Sequence, residues 1–221
     1  MSYTGKDNLD VMRLAKNYNH YIFKWIMHDD YKKILDFGAG NGEYCNKIES
    51  HKINAVEVDK ELKEQLKCYS YDSINEIIDK KFDLIYTLNV LEHIKDDAII
   101  IKTLSNLLEN NGIIKILVPA KMELYSKMDS KVGHYRRYEK EELEDLLKNC
   151  KLEIVNCQYF DFLGYFATLL YKYIDNSGKI NPRSLKIYDK FIFPLSVFID
   201  KITFGKIIGK NLMIIARKKN E

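Results

Sequence analysis

Three groups of residues in this chain have types and spacings suited to chemistry. The first is Ile34-Leu35-Asp36-Phe37-Gly38-Ala39-Gly40-Asn41-Gly42, an apolar strand end that runs into a glycine-rich turn. Glycines at alternate positions let a backbone bend sharply and approach a bound molecule closely. Ala55-Val56-Glu57-Val58-Asp59 follows as a second strand with carboxylates at its tip, which can accept hydrogen bonds from a ribose diol. Together these predict a nucleoside-bearing cofactor. The spacing G-x-G-x-G departs from the dinucleotide fingerprint, which needs glycine or alanine three residues after its second glycine, where this chain has Glu43. Asp36 is poorly placed for a pyrophosphate and well placed for a cationic amino-acid moiety.

The second group is Glu92-His93, a few residues past a fourth strand. His93 is a candidate general base because imidazole titrates near neutrality, although Glu-His also occurs where a helix simply begins. The third is Gly133-His134-Tyr135-Arg136-Arg137-Tyr138, a loop before a helix that opens at Glu139. His134 is the second candidate base. Tyr135, Arg136 and Arg137 suit an acceptor's phosphate or carboxylate. The alternative is that the arginines pair with Glu141, Glu142 or Glu144 and pin the loop. No close set of ligands stands at a sequence spacing typical of a bound ion, so no required metal is expected.

These groups need a scaffold. Strands are expected at 33–37, 53–58, weakly at 66–69, and at 83–88, 112–118, 152–158 and 210–217. Helices are expected at 42–50, 60–66, 96–109 and 139–148, with one or two amphipathic helices over 9–28. Alternating strands and helices with apolar, β-branched strands predict a parallel sheet covered on both faces. Asn110-Asn111-Gly112 reads as a left-handed stop before the fifth strand. About fifty residues separate the last two strands and are rich in aromatic and aliphatic side chains, reading as two added helices. They could cover the acceptor site, fill a flank or homodimer contact, or touch a membrane surface, since Lys172, Lys179, Lys186, Lys190, Lys201 and Lys206 flank them.

The 221 residues can bury one substantial core, and one domain over 1–221 is expected, with a helical cap at 1–30 and a helical insertion at 159–209. A net charge of only +3 gives no large basic field, so nucleic acid is an unsupported partner. Four cysteines without C-x-x-C spacing fit a reducing cytoplasm. No run reaches the roughly 18 apolar residues of a membrane span.

Asp36 to Gly42, the segment Asp83-Leu84-Ile85-Tyr86-Thr87-Leu88-Asn89-Val90-Leu91-Glu92-His93-Ile94, and Leu117-Val118-Pro119 resemble, in order and separation, the motifs of class I S-adenosylmethionine-dependent methyltransferases. Asn17-Tyr18-Asn19, the 133–138 loop and the closing strand are similar to a small-molecule (type 11/12-like) subgroup often found beside glycosyltransferases. The resemblance implies a Rossmann-like, doubly wound α/β fold with a seven-stranded sheet whose last strand is antiparallel. It implies S-adenosylmethionine as cofactor, with Gly38, Ala39 and Gly40 on its methionine part, Asp36 near its amino group and Glu57 on the ribose. Val58 would pack on adenine, Tyr71, Asp72 and Ser73 would meet the adenine edge, Asn89 and Val90 would form the wall under the sulfonium, and Tyr18 would close the pocket. Asp72 and Ser73 equally suit a plain helix cap. The implied reaction is methyl transfer to a small-molecule, glycan or lipid-linked acceptor, most simply at oxygen. An RNA methyltransferase and a non-catalytic cofactor-binding protein are the alternatives.

Overall fold

The computed structural model describes residues 5–174 and 179–219. Residues 1–4 of the expected cap and 175–178 of the expected insertion therefore lie outside the described residues. Seven strands form one sheet: β1 (Ile34–Phe37), β2 (Ile53–Val56), β3 (Tyr69–Tyr71), β4 (Phe82–Leu88), β5 (Leu108–Pro119), β6 (Leu152–Phe160) and β7 (Asn211–Lys218). Their order is β3-β2-β1-β4-β5-β7-β6, with β1 to β5 parallel and β7 antiparallel to both its neighbours. The chain is thus an α/β protein of the Rossmann-like, doubly wound kind, as its motifs imply. All four residues of β1 are buried, because a central parallel strand is covered on both faces.

The helices are α1 (Lys6–Met12), α2 (Lys16–Ile26), α3 (Lys60–Lys63), α4 (Asp97–Leu107), α5 (Lys127–Val132), α6 (Lys140–Asn149), α7 (Phe162–Ile174), α8 (Pro182–Ile187) and α9 (Phe193–Thr203). Ile101 and Leu104 of α4 and Leu143 and Leu147 of α6 build one apolar layer with the sheet. Ile22 and Ile26 of α2, with Phe160 and Phe193, build the other. Lys115 sits inside β5 almost without solvent, and its ammonium donates to the carbonyls of Trp25 and Ile26 at 2.9 and 3.0 Å. A cation there satisfies the open carbonyls and the negative end of α2.

Two expectations are corrected. The helix at 42–50 is reduced to one 3-10 turn over Cys45–Lys47. Gly42 takes φ +76°, and the Asn46 side chain bonds away from the segment, donating to the Gln65 carbonyl and accepting from the Lys67 amide at 3.0 and 2.8 Å. Glycine and asparagine also have low helix propensity. The weak strand expected at 66–69 lies at Tyr69–Tyr71. Among the described residues the two helices expected between the last strands are α7 and a continuous helical run over 182–203, in which a π-turn at Tyr188–Ile192 joins α8 to α9. Asn111 does take a left-handed φ of +63°, although strand pairing begins earlier, at Leu108.

Buried acids stitch the helices between β6 and β7 to the rest. Asp189 accepts from the amides of Asn17 and Tyr18 at 3.0 and 2.9 Å, capping α2 from a distance. Asp200 accepts from the amides of Asp161 and Phe162 at 2.8 and 3.1 Å, capping α7. Free helix N-termini need such acceptors. Asp200→Ala is therefore expected to cost about 1–2 kcal/mol, a fall of about 3–6 °C in Tm. Exposed Lys201→Ala, by contrast, should stay within about 0.5 kcal/mol. Equal melting of the two variants would contradict this role.

Candidate active site

The glycine turn, the tip of β2 and the tip of β4 meet at the carboxyl ends of the strands, where open α/β sheets bind ligands. Gly38, Gly40 and Gly42 all take left-handed φ, at +83°, +56° and +76°. A Cβ on Gly38 would lie 2.3 Å from Val90 Cγ2, so the turn and the wall after β4 fit only without a side chain. The amides of Gly38 and Ala39 donate to the Val56 carbonyl at 2.9 and 3.1 Å. Glu57 accepts from the Gly40 amide at 2.7 Å with one carboxylate oxygen and from the Asp59 amide at 2.8 Å with the other. Asp36 lies buried beneath, takes a hydrogen bond from the Tyr86 hydroxyl at 2.8 Å, and is pushed up to about 8 by burial.

Asn89 closes the β4 end in a left-handed conformation, φ +54°, which asparagine tolerates better than most residues. Tyr18 is buried, and its hydroxyl reaches the Asn89 side chain. α1 crosses the turn: Leu9 stands over Gly40, Arg13 donates to the Asn41 carbonyl at 2.8 Å, and Lys6 pairs with Asp59 at 2.9 Å. Val58 is exposed beside the turn, while Tyr71 is buried. Asp72 pairs with Lys63 at 2.7 Å. Ser73 accepts from the Asn75 amide at 3.3 Å, capping a 3-10 turn at Ile74–Glu76.

A polar cluster stands just beyond Val90. The 3-10 turn Leu91–His93 is pinned to the 133–138 loop by the Tyr135 amide, which donates to the Glu92 carbonyl at 2.8 Å. The His93 and His134 rings meet edge to face at 4.5 Å. His134 Nδ1 lies 2.8 Å from Asp129, and the Arg137 guanidinium grips the same carboxylate at 2.9 and 3.1 Å. Burial would raise the Asp129 carboxyl, but the His134 hydrogen bond and the Arg137 charge outweigh it and hold it well below the usual range. His93 is pushed down to about 4 by burial and by His134. Glu92 is wholly buried and pushed up to about 8 by that burial.

Arg136 pairs with Asp97 at 2.8 Å and donates to the Lys95 carbonyl at 2.6 Å. The acids that hold the two arginines are therefore Asp97 and Asp129, rather than Glu141, Glu142 or Glu144. Tyr135 is exposed. Although their sequence spacing is not that of a metal site, the ligand atoms of Glu92, His93 and His134 lie within 4.8 Å of one another. Sequence reasoning missed Asp97 and Asp129. A signal for Asp129 existed in Ser126-x-x-Asp129, a capping box that fixes that carboxylate five residues before His134.

A protein-family model described as a methyltransferase domain matches residues 11–156. No functionally curated protein matches the sequence. Among solved structures, a possible histamine N-methyltransferase from Thermotoga maritima superposes with TM-score 0.64 at 14% identity, covering 98% of both chains. The complex of Haloferax volcanii Trm112 methyltransferase activator with its putative methyltransferase gives TM-score 0.65 at 8% identity, covering 98% of this chain and 95% of that one. Phosphoethanolamine N-methyltransferase 2 of Haemonchus contortus, solved with S-adenosyl-L-methionine, gives 0.58 at 17%, covering 92% and 53%. At such identities the likeness concerns the fold.

Gly38→Ala should weaken cofactor binding at least about tenfold by calorimetry, through both the Val90 clash and the forced left-handed φ. Unchanged affinity would remove the turn from the site. A second expectation concerns pH. Asp36 has a raised folded pKa of about 8, against about 4 when unfolded. Its contribution is full below the lower value and is lost as pH rises through the upper one. His93, whose folded value is lowered, gains stability with pH only up to about 6.5, so the window above that is free of it. Between about pH 6.5 and 8 the cofactor-free protein should lose Tm, and Asp36→Asn should make that slope shallower. Identical slopes would contradict the assignment.

Proposed function

This chain belongs to the methyltransferase-domain family and is a class I S-adenosylmethionine-dependent enzyme, and we propose that it methylates an oxygen of a small-molecule, glycan or lipid-linked acceptor, the lipid-linked class being favoured. The cofactor supplies a methyl carbon already activated by a positive sulfur. Among the chain's own residues, Asp36 would balance the cofactor's ammonium, and Gly38, Ala39 and Gly40 would line its methionine part. Glu57 keeps carboxylate lone pairs for the ribose beyond its two backbone bonds. Val58, Tyr71, Asp72 and Ser73 would surround adenine, Asn89 and Val90 would back the sulfonium, and Tyr18 would exclude water. Such work is alignment and dehydration of an in-line displacement. His93 and His134 would manage the acceptor's proton, with Asp129 orienting His134. Tyr135, Arg136 and Arg137 would meet the acceptor, the arginines through whatever donors Asp97 and Asp129 leave open.

One observation carries the lipid-linked reading. On α9, Phe193, Ser196 and Asp200 are buried, while Leu195, Phe198 and Ile202 are exposed. Each exposed residue is two positions beyond a buried one, about 200° round the helix, so an apolar stripe runs along the outer face. Phe191, Phe204 and Ile207 extend it. The acids Asp161, Asp189 and Asp200 point inward, whereas Lys186, Lys190, Lys201 and Lys206 are exposed. An apolar stripe with a cationic margin suits an anionic lipid surface. Among the described residues no helix is long and apolar enough to cross a membrane. We read residues 1–221 as one unit, because Asp189 joins the insertion to α2, and the four free thiols fit a cytoplasmic enzyme.

The test is turnover of methyl-labelled cofactor against cell extract divided into lipid, glycan, RNA and small-metabolite fractions. Label in the lipid fraction is expected, and label confined to RNA would overturn the small-molecule, glycan or lipid-linked reading. Vesicles give a second readout. Co-sedimentation with phosphatidylglycerol vesicles should exceed that with phosphatidylcholine, and Phe198→Asp with Ile202→Asp should abolish it without lowering Tm. A dimer in solution that ignores vesicles would assign the stripe to a second copy of the chain instead.

A further inference from the structure

We propose that Glu92, His93 and His134 form a site for one divalent transition-metal ion of the zinc class. The three come from two separate segments, the 3-10 turn after β4 and the loop after α5, and their ligand atoms lie within 4.8 Å of one another. Among the described residues, neither carboxylate oxygen of Glu92 has a hydrogen-bond partner beyond the reach of its own backbone amide, although the residue is fully buried. A buried carboxylate without partners is costly, and native chains keep one where a cation or a catalytic role answers it. His134 Nε2 is 3.8 Å from Glu92 Oε1. Ligands about 2.0–2.2 Å from a tetrahedral ion stand about 3.4 Å apart, so a small side-chain adjustment closes the set.

The surroundings match what metal-binding histidines need. A ligating imidazole is normally fixed through its other nitrogen by a carboxylate or carbonyl. Asp129 lies 2.8 Å from His134 Nδ1, leaving Nε2 toward Glu92. Asp129 is itself locked by Arg137 and by the Ser126 amide. The carbonyls of Gly133 and Val132 lie within hydrogen-bonding reach of the His93 ring, with Nδ1 on the Gly133 side. Two imidazoles and one carboxylate favour zinc, manganese, iron or cobalt over magnesium or calcium, and three protein ligands leave a position open. Both histidines are only partly buried, so that position can be reached.

The role of the ion rests on the oxygen-acceptor reading. An acceptor hydroxyl held at the open position would lose its proton to solvent more readily. Its oxygen lone pair would then form the new C–O bond as the C–S bond breaks, its electron pair going to sulfur to leave neutral S-adenosylhomocysteine. His93 and His134 would thus act on the proton through the ion.

Binding is tested without turnover, so it stands apart from the acceptor question. Chelator-stripped full-length protein is titrated with Co2+, followed by visible d–d absorption, and then with Zn2+ as competitor. One equivalent should bind and be displaced by Zn2+. Glu92→Gln and His134→Ala should each weaken uptake at least tenfold while exposed His20→Ala leaves it unchanged. Melting curves check folding, and should His134→Ala unfold, the isosteric Glu92→Gln carries the same reading. Absence of stoichiometric uptake, equal uptake by Glu92→Gln, or a thiolate charge-transfer band placing the ion on a cysteine would each overturn the proposal.

Discussion

The Glu57 carboxylate, shared between the Gly40 and Asp59 amides, is the contact on which the rest of the site depends. A left-handed glycine turn has no ladder of its own, here only the Gly42 amide donating to the Ala39 carbonyl at 3.0 Å, so most of its hold comes from outside. Glu57 supplies that hold from β2, while Val56 binds the amides of Gly38 and Ala39 and Val90 fills the space that a Cβ would take. Three neighbouring strand ends thereby position a single turn. The charge is also suited to the task, since a carboxylate accepting two backbone amides keeps lone pairs for a diol.

That turn is in turn covered by elements far away in sequence. α1 lies across it through Leu9, Arg13 and Lys6, and α2 presents Tyr18 to Asn89. The N-terminus of α2 is capped by Asp189, which belongs to the helices between β6 and β7, and its C-terminus is capped by Lys115 from β5. A change in the insertion can therefore reach the glycine turn through one carboxylate. The same inward use of Asp161, Asp189 and Asp200 leaves the insertion's outer face apolar and cationic.

Much of this was legible in the residues. Strands β1, β2, β4, β5 and β7 follow from apolar, β-branched runs, since burial on both faces leaves little freedom for other patterns, whereas the edge strand β6 is half-exposed and legible only from its own aliphatic and aromatic residues. The glycine turn was legible because glycine adopts left-handed φ values without steric cost. The helix at 42–50 was misread because Gly42 and Asn46 take part in tertiary contacts that override local periodicity. In the polar cluster, local spacing could not show that Glu92 and His134 meet, since their approach depends on the Tyr135 amide docking on the Glu92 carbonyl. Nor could it pair Arg136 with Asp97, thirty-nine residues away.

S-adenosylmethionine is expected to sit on the turn gripped by Glu57. Calorimetric titration of the cofactor into the wild-type chain and into Glu57→Ala tests it most directly. One site is expected in the wild type and at least about tenfold weaker binding in the variant. No binding by the wild type, or equal affinity in a folded Glu57→Ala, would contradict it.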